Sequence, residues 1–237
     1  MKKKIILCCF FALLFLILSF GIFFILENRT LHTRAFTYNP ENAIKYSYKY
    51  IIDRNPSYPT FEANCTSFIS QCLIAGGIEM DGQNARNLKS TKIKNTSTKW
   101  FCYTWDVDPY KPLVFYLSSS FCRAKDFVNY WINVGQVPYT VVENTSENIQ
   151  HLKNIVHLGD VIFIMSDNPH LSIVVKIDDD IYVNSNSNDR YEFGLSNLPS
   201  STYETITVLH FVQVQWESYF TIWRVGNNIN KKAMLSN

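Results

Sequence analysis

An uncharged apolar run from Ile5 to Leu26 opens the chain behind Met1-Lys2-Lys3-Lys4. The run is about long enough to cross a bilayer as a helix. A cleaved secretory signal would show a shorter apolar region and a small-x-small site; Ser19-Phe20-Gly21 is a poor version of one. Lysines before the run and few basic residues after it predict an inside N-terminus and an outside remainder. A signal anchor over residues 1–29 is the expectation, with cleavage or burial as a core helix as alternatives. Residues 30–237 then form one domain.

Beyond the anchor the apolar period is first helical. Asn39-Pro40 offers an N-cap and a proline at the first helical position, and Ala43, Ile44, Tyr46, Ser47, Tyr50 and Ile51 follow at helical spacing. Asn55-Pro56 and Tyr58-Pro59 force a turn and extended chain. Asn64 predicts a side-chain N-cap for a second helix burying Phe68, Ile69, Cys72 and Leu73, ended by Gly76-Gly77. Glu79 to Ser97 is polar and reads as a long surface loop. Trp100, Phe101, Tyr103 and Trp105 suit a core, and Ala124 to Val134 is an amphipathic helix with Phe127, Val128, Tyr130 and Trp131 inward.

From Leu158 the period changes to two. Gly159-Asp160 marks a tight turn, Thr145-Ser146-Glu147-Asn148 another, and Val161 to Met165 is an apolar strand. His170 to Ile177 alternates, with Leu171, Ile173, Val175 and Ile177 on one side and His170, Ser172, Val174 and Lys176 on the other. Asp178-Asp179-Asp180 turns the chain into a strand over Ile181 to Asn186, and Thr205 to Val214 and Tyr219 to Val225 supply later strands. Helices first and an antiparallel sheet second predict an α+β fold.

Composition sharpens this picture in two respects. At 47% hydrophobic and 15% aromatic residues the chain has ample material for a packed core. The net charge is +2, and removing Lys2, Lys3, Lys4, Arg29 and Glu27 leaves about −1, so no basic face for nucleic acid is expected. Of six cysteines, Cys8 and Cys9 belong to the apolar run. No C-x-x-C pair occurs among the rest, so a zinc site has no support, and Asp178-Asp179-Asp180 lacks the glycine and distal glutamate of a calcium loop; no metal and no cofactor are expected. In an exported domain Cys102 and Cys122 could oxidise together. Cys65 and Cys72 stand roughly 10 Å apart on one helix, too far for a disulfide.

Cys65 carries the candidate chemistry. On the first turn of a helix the unpaired N–H groups and the dipole favour thiolate; a buried structural cysteine is the alternative. A cysteine hydrolase also needs a base and a group that orients it. Of the histidines at 32, 151, 157, 170 and 210, only His170 begins a strand directly after a turn, on the less apolar side. Asn184 and Asn186 share a face of the neighbouring strand and are candidates to orient the imidazole.

Residues 64–78, Asn-Cys-Thr-Ser-Phe-Ile-Ser-Gln-Cys-Leu-Ile-Ala-Gly-Gly-Ile, resemble the nucleophile segment of the putative amidase domain family. That family is a branch of the papain-like and NlpC/P60-like cysteine hydrolases, with the usual wording Asp-Cys-Thr-Asn-Phe-Val-Ser-Gln-Cys-Leu-x-Ala-Gly-Gly. The resemblance takes in Asn55 to Phe61, Trp100, Phe127 to Tyr130, Gly159 to Phe163 and His170 to Val175, about residues 37 to 215. It implies a papain-like (NlpC/P60-like) fold in which N-terminal helices pack on an antiparallel sheet. It also implies Cys65 as nucleophile, His170 as base and Asn186, where the family often has histidine, as the orienting residue. Asn64 replaces the family aspartate. The backbone N–H of Cys65 is expected to hold the oxyanion.

The resemblance and the anchor together imply an exported, membrane-anchored bacterial thiol amidase or peptidase. Its partners would be peptide or peptidoglycan stem-peptide substrates and, through the N-terminal helix, the membrane. The rival expectation is an inactive papain-like module that binds peptide or wall fragments. Lipid acyl transfer is disfavoured, because permuted papain-like acyltransferases place their histidine before the cysteine and only His32 precedes Cys65.

Overall fold

The computed structural model describes residues 37–81, 92–104, 114–187, 189–199 and 201–212. The expected anchor, Trp105 and the strand expected over Tyr219 to Val225 lie outside them. Among the described residues no helix is long and apolar enough to cross a membrane.

Helix α1 (Pro40–Tyr50) starts as its sequence dictates, with the Asn42 N–H donating to Asn39 Oδ1 at 3.0 Å. Helix α2 (Cys65–Ala75) ends at Gly76, and Gly77 takes the left-handed φ of 97° that turns the chain away. Three short strands follow: β1 (Lys92–Lys94), β2 (Cys102–Thr104) and β3 (Phe115–Ser118), joined in the order β1-β3-β2. The polar stretch expected to be loop throughout thus contributes a strand, because β3 offers it a parallel partner. Helices α3 (Ser119–Cys122) and α4 (Ala124–Asn133) complete the first half.

The second half is a six-stranded antiparallel sheet. Its strands are β4 (Tyr139–Asn144), β5 (Val161–Met165), β6 (His170–Ile177), β7 (Ile181–Ser185), β8 (Arg190–Gly194) and β9 (Ser201–Leu209). They lie in the order β4-β9-β5-β6-β7-β8, so the last strand sits between the first two. The expected turn at Thr145 is instead the cap of a helix, α5 (Ser146–Leu152): the Asn148 N–H donates to Thr145 Oγ1 at 3.2 Å. The amphipathic spacing of Ile149 and Leu152 decides the helix by giving it a face to bury.

Both faces of the sheet are covered. Val161, Phe163, Leu171, Ile173 and Val175 join Phe68, Ile69, Leu73, Trp100 and Trp131 on the side of α1, α2 and α4. Ile162, Ile164, Val174, Val183, Ile206 and Val208 join Ile149 and Leu152 on the side of α5. Each large apolar side chain so buried contributes about 1.5–3 kcal/mol. The alternation expected in β6 holds from Leu171 to Val175. A register shift between Val174 and Lys176 then moves Ile177 against the α5-side core, opposite to the expected side. The architecture is a mixed α+β one.

Candidate active site

The start of α2 meets the end of β7. Cys65 is buried on the first turn of α2, and its Sγ lies 3.8 Å from Thr66 Oγ1. The expected side-chain cap by Asn64 does not form. Its Oδ1 accepts from the Phe61 N–H at 3.2 Å and its Nδ2 donates to Asn186 Oδ1 at 3.1 Å. The cap comes from across the fold: Ser187 Oγ accepts from the N–H of Asn64 at 2.9 Å and of Cys65 at 3.0 Å. The backbone donor expected to face an oxyanion therefore holds a hydroxyl.

The turn that begins with Asn186 and Ser187 after β7 makes this contact. Ser187 has a φ of 126° and Asp189 one of 45°, conformations rare in residues with a Cβ. Fixed partners hold the turn against that strain. Asn186, fully buried, donates from Nδ2 to the carbonyls of Tyr50 (3.3 Å) and Ile51 (3.0 Å) at the end of α1. Arg54 pairs with Asp189 at 2.7 Å.

His170 opens β6 at the same end of the sheet, and its Nε2 lies 2.8 Å from Ser185 Oγ. Burial, and then the charge of Arg190, push the imidazole down to about 4, so it is neutral at neutral pH. In the register His170 pairs with Ile164 and shares parity with Val174, both members of the α5-side core. Helix α2 packs on the opposite core. Among the described residues no hydrogen bond joins Cys65 Sγ to the His170 ring, and none joins Asn186 to it. Asn184 is likewise engaged elsewhere, donating to Ser47 Oγ at 3.0 Å and accepting from the Glu192 N–H at 2.8 Å. Ser187 and Ser185, on either side of Asn186, contact the Cys65 N–H and the His170 ring, which belong to opposite faces of the sheet. The structure gives the imidazole to Ser185 and the Asn186 amide to the end of α1. Ser185 and Ser187, which touch His170 and the Cys65 N–H, were missed by sequence reasoning; their signal was their place on either side of Asn186.

The remaining histidines lie elsewhere, and His32 falls outside the described residues. His151 is exposed on α5. His157 and His210 meet Asp160 at the opposite end of β5 from His170's partner Ile164. Burial pushes the Asp160 carboxyl up, but the two histidines beside it outweigh that and hold it below its ordinary range. The carboxylate in turn raises His157. Cys65, Cys72, Cys102 and Cys122 are free thiols. Burial pushes Cys102 up to about 12 and Cys122 up to about 11.

A family model described as "Putative amidase domain" matches residues 37–210. "Uncharacterized protein YhbB" of Bacillus subtilis (strain 168) is similar over a shorter stretch. It is 40% identical over 94 residues, 40% of this chain and 28% of that protein, so the match spans under a third of that relative's length. No solved structure gives a significant match.

Proposed function

The chain belongs to the putative amidase domain family, and from that premise we propose that it is a thiol-dependent amidase or peptidase of papain-like, NlpC/P60-like build. One observation carries the reading: Cys65 sits on the first turn of α2 with its backbone N–H already turned to an oxygen, that of Ser187, in the turn that follows Ser185, the partner of His170. Cys65 Sγ attacks the amide carbonyl carbon, and its proton passes to the neutral His170 imidazole. The tetrahedral oxyanion takes the place of the Ser187 oxygen on the Cys65 N–H. His170 returns the proton to the leaving amine as the C–N bond breaks, and water then hydrolyses the thioester. Asn186 acts as a positioning residue: it ties the turn to α1 and so fixes where Ser185 presents His170. The apolar run after Met1-Lys2-Lys3-Lys4 supports the reading of a domain outside a bacterial membrane on a single span, for which cell-wall stem peptides are the substrate class we propose.

The second reading is a papain-like module that binds peptide or wall fragments without turnover. It is favoured by the bond of His170 to Ser185 and by the parity that sets the imidazole away from the α2 side.

The test is the rate of Cys65 alkylation against pH in the full chain, read by peptide mass spectrometry, beside hydrolysis of stem-peptide amides. The enzyme reading expects alkylation that depends on His170, and amide cleavage abolished by Cys65→Ala and His170→Ala. An alkylation profile unchanged by His170→Ala, together with stem peptide bound but uncleaved, would make it a binding module.

A further inference from the structure

At the start of β5, the end away from His170's partner Ile164, stands a second cluster that the hydrolase reading does not use. We propose that His157, Asp160 and His210 bind a divalent transition-metal ion of the zinc class. The ligand atoms of the three residues all lie within 4.8 Å of one another. Asp160 Oδ2 is the shared point, 2.9 Å from His210 Nδ1 and 3.5 Å from His157 Nδ1. Two imidazoles and one carboxylate form a donor set that suits a first-row divalent ion with further positions left for water.

The surroundings hold these donors as a metal site requires. Asp160 is fully buried; its Oδ1 accepts from the Phe211 N–H at 3.1 Å and its Oδ2 from the His157 N–H at 2.9 Å, which fixes the carboxylate plane. His210 is buried too, and its other ring nitrogen, Nε2, lies 3.0 Å from Thr140 Oγ1. Without an ion Nδ1–H donates to the Asp160 carboxylate at 2.9 Å and Nε2 accepts from the Thr140 hydroxyl; an ion would displace the Nδ1 proton, and the hydroxyl would then accept from Nε2–H, the outer contact that orients ligating imidazoles. His157 Nδ1 is a buried atom with no hydrogen-bond partner although it points to the cluster. Leaving a buried nitrogen unmet costs about 1–3 kcal/mol, and an ion would satisfy it. The His157 side chain is 33% exposed, which opens a route from solvent. The expectation of no metal rested on the cysteines and on Asp178-Asp179-Asp180, and none of those residues takes part here.

The probe is Co(II), added to the full chain after treatment with a chelator and followed by absorption. The expected result is stoichiometric binding with the ligand-field bands of a nitrogen and oxygen site and no sulfur-to-metal charge-transfer band. His157→Ala, at a partly exposed position that tolerates truncation, is expected to weaken binding more than tenfold. Thr140→Val is expected to weaken it about 10–100-fold, and His151→Ala to leave it unchanged. Circular dichroism of each variant shows that it has folded. Absence of binding, a thiolate charge-transfer band, or unaltered binding in folded His157→Ala would overturn the assignment.

Discussion

His170 shows how one side chain ties the candidate chemistry to stability. Its folded form holds the proton only below about 4, against 6.5 for an ordinary histidine, chiefly because burial disfavours the charged ring. The folded value is lowered, so between these limits the unfolded chain binds the proton more tightly. This contribution to stability is therefore complete above about 6.5, is lost as pH falls toward 4, and changes no further below. Its size is about 3 kcal/mol. Denaturant midpoints against pH are expected to fall less steeply for His170→Ala than for the native chain across that window; parallel curves would count against a buried neutral imidazole. His170 itself was readable in the sequence, because a histidine directly after a turn and before an alternating strand is a narrow description. Its partner was not. A hydrogen bond to Ser185 depends on how two strands are registered, which strand spacing alone does not give.

At the scale of single elements, α2 illustrates what local sequence can and cannot specify. The spacing of Phe68, Ile69, Cys72 and Leu73 and the stop at Gly76-Gly77 are local facts, and the helix Cys65–Ala75 follows them. The expected cap was local as well, but Asn64 is drawn into bonds with Phe61 and Asn186, and a hydroxyl 122 residues away takes its place. Ser187→Ala is accordingly expected to destabilise the fold by about 1 kcal/mol, the usual cost of losing an N-cap, measured by chemical denaturation. No loss would show that water replaces the hydroxyl at no cost. Helix α5 and strands β4 and β8 were illegible for the same reason: each is short, and each is decided by the neighbour that it packs on or pairs with.

On the scale of the whole molecule, the α+β plan was visible in the change of period near Leu158, while the layering was not. A strand such as β5, apolar at every position, reads alike whether one face or two are covered. The structure covers both, with Phe163 facing α2 and α4 and its neighbours Ile162 and Ile164 facing α5. Phe163→Ala is expected to cost about 3–5 kcal/mol, seen as a lowered midpoint with an unaltered denaturant slope. A loss under 1 kcal/mol would mean that the two layers are loosely packed at this point.

The strand order carries a consequence for the order in which the fold is made. Strand β9 lies between β4 and β5, and it is the last described strand to leave the ribosome. Until residues 201–209 are available, β4 has no partner and β5 pairs on one edge only. Closing those pairings brings together residues from about 40 to 70 positions apart, which makes for slow folding. The pairings from β5 to β8 need nothing from β9, whereas β4 joins the sheet only when β9 is inserted between it and β5, so the sheet is completed late and from its middle.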